Sequence, residues 1–138
     1  DLDRSVYAFW YSVLHKTEEL AQLIQKTPIT ISGWYKQRDV QKNKKRESLI
    51  RLGFSTFFLN RTNRSGIISG GVIGGKGQSG DWKLDCRFNK LELMERIRNI
   101  AEYKQKISLY NKDASSLIQT ELPEIENNAL IYLGYDRH

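Results

Sequence analysis

The chain has 138 residues, 39% of them hydrophobic and 28% charged, with a net charge of +6, which suits one domain with a modest core and not a disordered tail. No apolar run approaches the roughly 18 residues of a membrane span, and the opening DLDRSVYAFWYSVLHK has no basic leader ahead of an apolar stretch, so neither a membrane helix nor a signal peptide is expected. Cys86 is the single cysteine, and His15 and His138 stand far apart; this excludes an internal disulfide and a zinc site and fits a reducing, cytoplasmic compartment.

Val6, Phe9, Trp10, Val13 and Leu14 recur at helical spacing, so a first helix with one apolar stripe is expected, with Trp10 in the core and His15 a helix-end residue. A second helix starts at Thr17, capped by its hydroxyl, and buries Leu20, Leu23 and Ile24 until Thr27-Pro28 stops it. A short helix is expected around Trp34 and Tyr35, then an amphipathic helix from Glu47 to Phe58 that its interior Gly53 weakens. Seven of the ten glycines fall between Asn60 and Asp85, which reads as a long loop with room for a small hairpin, and such a loop is usually functional or mobile. Its GVIGGKG stretch lacks the spacing of a phosphate-binding loop. Asn89 then caps a helix that runs to about Lys104 and buries Leu93, Met94, Ile97 and Ile100, with Glu92 placed for a capping box. KISLY (106–110) and NALIYL (128–133) read as strands either side of a short helix, Asp113 to Gln119. Strand, helix, strand suggests two parallel neighbours in an α/β sheet, the rest of which this chain does not contain.

Charge is uneven along the chain. Tyr35 to Arg51 holds seven basic and two acidic residues, Arg61 to Lys90 six and two, and the balance turns acidic after Asn111. A positive field on one half favours a polyanionic partner; a solvated basic helix is the plainer reading.

FFLNRTNRSGI (57–67) and GDWKLDCRFNK (80–90) resemble the adenine-specific (N6) DNA methyltransferases related to the Dam enzymes, and the resemblance extends over essentially the whole chain. It implies the DNA-binding portion of a site-specific enzyme, of the kind found in restriction–modification systems, that moves a methyl group from S-adenosylmethionine to adenine. The fold it implies is α/β: a mostly helical recognition insertion with a long glycine-rich loop, attached to part of a methyl-donor, Rossmann-like parallel sheet. Residues 1–16 would be a helix of the partial methyltransferase fold. Residues 17–103 would be the recognition region, with its glycine-rich loop at 61–85, and 104–138 a partial parallel-sheet segment. Asp1, with Asp3 as the alternative, takes the place of the carboxylate that binds the donor's ribose, and Asp113 lines the adenosine end of the pocket.

The chain also departs from the family. No FxGxG motif for the donor occurs, and NALIYL leads into Gly134-Tyr135-Asp136-Arg137-His138 where the family has its Asp/Asn-Pro-Pro-Tyr/Phe catalytic loop. No catalytic residue is therefore assigned, and S-adenosylmethionine belongs to an intact parent, not to this chain. Arg64-Ser65 stand where relatives carry an aromatic-Asn pair that wedges into the base stack.

The expected partner is double-stranded DNA. Arg61 and Arg64 are the candidates for reading it, since a planar guanidinium suits a guanine edge or a phosphate, with Ser65 and Asn60 beside them, although Asn60 serves equally as a helix cap. Lys42, Lys44, Lys45, Arg46 and Lys76 are candidates for phosphate contact, where charge matters more than geometry. Trp34 and Tyr35 fit core packing better than base stacking, Trp82 fits either, and Cys86 reads as a small hydrophobe. Two other functions fit the same residues: a non-enzymatic nucleic-acid-binding module, or a small interaction protein that completes its sheet with a partner chain. Exposed sheet edges would also allow self-association.

Overall fold

The computed structural model describes residues 1–121 and 128–133. The Arg4–His15 helix (α1) starts at Asp3, whose carboxylate accepts from Ser5 N, and the Thr17–Lys26 helix (α2) comes after a single intervening residue. Thr30 caps the Ile31–Lys42 helix (α3), and Ser48 caps the Leu49–Thr62 helix (α4). In the Lys90–Ala101 helix (α5) the Asn89 side chain accepts from Glu92 N, as expected, but Glu92 turns to Arg96 instead of closing a reciprocal box. The Ala114–Glu121 helix (α6) comes last among the described residues.

α4 is the axis of the packing. Every residue from Leu52 to Leu59 is buried, so the helix is covered on all sides, as a core helix must be, and not on one face as an amphipathic helix would be. α1 and α3 pack along α4, and α5 closes over α2 and α1. Phe54, Phe57, Phe58, Leu20, Ile24, Trp34, Leu93, Met94 and Ile97 make one cluster. Truncating a fully buried ring such as Phe58 would cost about 3–5 kcal/mol.

Gly53 explains itself at the α1–α4 crossing. A Cβ there would lie 2.5 Å from both Ala8 O and Ser12 Oγ. The helices meet along a seam of small residues where Ser12 Oγ donates to Ala8 O at 2.7 Å and Leu49 O at 3.2 Å, and Thr56 Oγ1 donates to Ser5 O at 3.1 Å. The glycine that weakens the helix locally is what permits this close approach.

Four expectations are corrected. The described residues contain no strand and no sheet, only one isolated bridge between Asn63 and Val72, so attachment to a Rossmann-like parallel sheet, and with it a parallel-sheet segment at 104–138, is overturned. KISLY and NALIYL have the apolar, branched composition of strands, but a strand is defined by its ladder, and neither finds one. Instead Leu109 packs against the helical core, while Leu130, Ile131, Tyr132 and Leu133 are all exposed. The segment 134–138, where the family's catalytic loop would fall, lies outside the described residues. The remaining three are local. Thr17 does not cap α2: its hydroxyl donates back to Val13 O. Trp10 is not core, at 38% exposed. Cys86 is exposed instead of packed. No described helix is long and apolar enough to cross a membrane.

Candidate nucleic-acid interface

The C-terminus of α4 runs into the glycine-rich segment, and the first residue past the helix, Asn63, organises that segment's opening turn. Asn63 is fully buried. Its Oδ1 accepts from Trp34 Nε1 at 2.7 Å, and its Nδ2 donates to Ile67 O at 2.9 Å and Ile68 O at 3.0 Å. One amide thus ties α3 to both carbonyls of the loop's turn, and all its side-chain polar atoms are satisfied, as burial demands. The backbone adds two bonds, Arg64 N to Gly71 O and Ile73 N to Thr62 O, each 2.9 Å. Between them the chain makes a tight turn over Arg64–Gly66, in which Ser65 has φ +56° and Gly66 φ +70°.

The loop is packed, not loose. Val72, Leu84 and Phe88 are buried in the core, and the Phe88 ring meets Phe57 edge-on at 5.6 Å between centroids. Gln78 ties its second half together: Nε2 donates to Ile73 O and Gly75 O, and Oε1 accepts from Leu84 N at 3.0 Å.

The turn over Arg64–Gly66 faces the N-terminal half of α1 across a groove of about 550 Å³ lined by Asp3, Ser5, Gln41, Lys44, Ser65 and Ile67. It shares Val6, Gly66 and Ile68 with an adjoining, more apolar hollow of about 340 Å³ bordered by Trp10 and Asn60. Three of the expected DNA-contacting residues thus line neighbouring hollows, Lys44 and Ser65 the first and Asn60 the second. Asn60 does not cap α4; its Nδ2 donates to Gly66 O at 3.1 Å and so steadies the turn from the outside. Arg64 is exposed beside Ser65, and its guanidinium has no partner among the described residues.

Of the basic run, Lys44 lines the groove. Arg4 clamps the α3–α4 turn by donating to Lys44 O and Glu47 O, both at 2.9 Å. Lys44 Nζ stands 3.7 Å from Asp3, and Lys42 Nζ 3.6 Å from Asp39. Both pairs are largely solvent-exposed and therefore weak. Lys45 and Arg46 are exposed with no side-chain partner among the described residues.

Two candidates fall elsewhere. Arg61 folds back instead of projecting: its Nε and Nη2 both donate to Arg87 O, and it is half-buried. Burial first, then the neighbouring Arg87 and Arg96 charges, lowers its pKa from the usual guanidinium value; the group remains a cation, but one committed to holding the loop's return. Lys76 is exposed on the turn that Gln78 closes.

The two residues assigned to the methyl donor come near each other but do not form a cradle. The Asp1 amino group donates to Tyr110 O at 2.6 Å and Asn111 Nδ2 donates to Asp1 O at 2.7 Å, which brings Asp1 to the strand-like segment just before Asp113. Asp113, however, caps α6. Its Oδ1 accepts from Ser115 N, and its Oδ2 from Ser116 N and Ser116 Oγ. Those hydrogen bonds, the Ser116 hydroxyl first, hold its carboxyl below the usual aspartate range. Both aspartates are exposed, and as placed they do not fit a buried sulfonium nucleoside. Among the described residues no group of three or more His, Cys, Asp or Glu is placed to hold a metal ion.

No family model, no curated protein and no solved structure matches the chain. Sequence reasoning missed Asn63 and Gln78 as the residues that shape the loop. Polar residues inside a glycine-rich run were the available signal, but their partners lie on other segments. The Trp82 ring, which fitted either core or surface by sequence, stands 73% exposed on the same loop.

Proposed function

We propose that the chain binds duplex DNA as the recognition portion of an adenine-N6 DNA methyltransferase, in the cytoplasm, and that the groove between α1 and the turn over Arg64–Gly66 is where the DNA is read. The observation that carries this reading is that Lys44 and Ser65 line one groove and Asn60 the hollow that shares its Val6, Gly66 and Ile68 wall, with exposed Lys45 and Arg46 next to Lys44 in the chain and exposed Arg64 next to Ser65. Lysines at the α3–α4 turn supply charge to phosphates without sequence preference, while Arg64 and Ser65, on a turn held by Asn63, have the fixed placement that reading a base edge requires. S-adenosylmethionine would supply the transferable methyl group in the parent enzyme, and no step of that transfer is assigned to residues of this chain.

A non-enzymatic nucleic-acid-binding module is the second reading, favoured by the engagement of Asp113 as a helix cap. Both readings predict duplex binding, and sequence preference separates them.

Fluorescence anisotropy on a set of duplexes between about 50 and 200 mM salt tests the proposal, since phosphate contacts weaken steeply over that range. Replacing Lys44 and Lys45 by alanine should weaken all duplexes alike and flatten the salt dependence by about one unit of slope per lost phosphate contact. Arg64→Ala should lower affinity about 5- to 100-fold on the preferred duplex and relax the preference. Binding that ignores both sets of changes would remove the groove from consideration.

A further inference from the structure

Trp82 is 73% exposed, against 1% for Trp34 and 38% for Trp10. Its backbone, by contrast, is fixed. Gly74 adopts φ +87°, and a Cβ there would come within 2.6 Å of Trp82 O, so the two chain segments touch. The next residue, Lys83, donates Nζ to Gly80 O at 2.9 Å and also to Gln78 O. Leu84 is buried and its N–H donates to Gln78 Oε1. The ring itself makes no aromatic pair and takes no cation among the described residues, whereas Trp34 has Tyr35 edge-on and Arg38 over its face.

The same loop joins Trp82 to the reading turn. Gly74 comes directly after Ile73, whose N–H donates to Thr62 O, and Gly71 O accepts from Arg64 N. Trp82 and Arg64 therefore belong to one hydrogen-bonded assembly, one offering an apolar face and the other a charge.

The geometry points to Trp82 as a stacking platform for a nucleobase of the bound DNA, an inference that rests on the DNA-binding reading above. A large aromatic held out on an ordered backbone loses little further entropy on contact and has its whole apolar face to gain. Every base has a π-face, and stacking of this kind tolerates any sequence. Trp82 thus contributes affinity and Arg64 contributes preference.

The test compares the full chain with Trp82→Ala and Trp82→Phe on two labelled DNAs, a duplex and the same duplex carrying one unpaired base. The Trp82→Ala variant should lose about tenfold in affinity for the DNA with the unpaired base, the scale of one lost base–aromatic stack, and keep the wild-type salt slope because no charge is removed. Trp82→Phe should retain most of the affinity. Thermal melts of both variants should match wild type, because the side chain is exposed. In wild type, tryptophan fluorescence should be quenched on DNA addition, and Trp82→Phe should lose the share of that quenching due to Trp82, leaving only what Trp10 at the groove contributes. Wild-type affinity in Trp82→Ala overturns the stacking role while leaving the groove intact. A flattened salt slope in Trp82→Ala overturns it too, by showing that the loop's phosphate contacts moved. Failure of wild type to bind either DNA overturns the DNA-binding reading and this inference together.

Discussion

Asn63 ties the opening turn of the loop to α3 through a single side chain. Replacing it by alanine leaves the buried Trp34 Nε1 and the part-buried Ile68 carbonyl without their partner, while Ile67 O keeps its bond from Gly70 N. Each buried orphan costs about 1–3 kcal/mol, so Asn63→Ala should lower unfolding free energy by about 2–4 kcal/mol in urea titrations, with bridging water setting the lower bound. A loss under about 0.5 kcal/mol, the range of ordinary surface changes, would mean that the turn holds itself through its backbone bonds. Arg61 makes a complementary case. Because its guanidinium is engaged with Arg87 O, Arg61→Ala should lose about 1 kcal/mol of stability, discounted for its partial exposure. Its effect on DNA affinity should then track the stability loss, unlike that of Arg64→Ala, and melts run beside binding curves would tell the two arginines apart.

At the scale of elements, Gly53 decides between two opposed effects. Alanine at an interior helix position gains about 1 kcal/mol in propensity over glycine. Here the added methyl meets the Ala8 carbonyl and Ser12 Oγ at 2.5 Å, and forcing helices apart costs about 1–3 kcal/mol. Gly53→Ala should therefore be net destabilising in a thermal melt; a stabilised variant would show that the α1–α4 seam yields easily. An electrostatic tie adds to the apolar packing between α2 and α5. Arg98 Nε and Nη2 both donate to Glu18 at 3.0 Å, and that hydrogen bond, ahead of the opposing burial, holds the Glu18 carboxyl below the usual glutamate range. A depressed carboxylate adds stability that is present above its unfolded value and lost as pH falls through the folded one. Acid should thus weaken this tie, and Glu18→Gln should flatten the wild-type fall in stability on the acid side. The pair is exposed, so the effect should be small and fade with salt.

Much of this level is legible in the sequence: the apolar spacing places α1, α2, α4 and α5, and Asn89 marks the start of α5. Other features are not. Periodicity reports which residues are apolar but not whether a neighbour pairs with them, so KISLY and NALIYL read as strands of a sheet that the described residues do not form. The Thr17 hydroxyl can accept from a backbone N–H of its own helix or donate to a carbonyl, and it donates to Val13 O in the preceding helix. Of the groove, the basic run and the Arg64-Ser65 turn are visible as residue types. Their convergence depends on Asn63 meeting Trp34 across 29 positions, a contact that no local pattern announces.

The whole molecule has two unlike parts. The body built from α1 to α5 buries its apolar residues, whereas α6 makes no extensive contact with those helices. Beside α6, Tyr110, Leu117, Ile118 and the 130–133 segment line an open groove of about 550 Å³. Leu130 is 94% exposed and Tyr132 87% exposed. Contiguous apolar surface of this kind is uncommon on monomers and drives association when left uncovered. The wild-type chain should bind a hydrophobic dye and show sedimentation that rises with concentration, and Leu130→Ser with Tyr132→Ser should reduce both. The helical circular dichroism and melting midpoint of that double variant should stay at wild-type values, because neither residue belongs to the core cluster. Association that persists unchanged would place its cause on another surface. A double variant that melts early would instead show that the 130–133 segment supports the helical body, and α6 could no longer be treated as energetically separate from it.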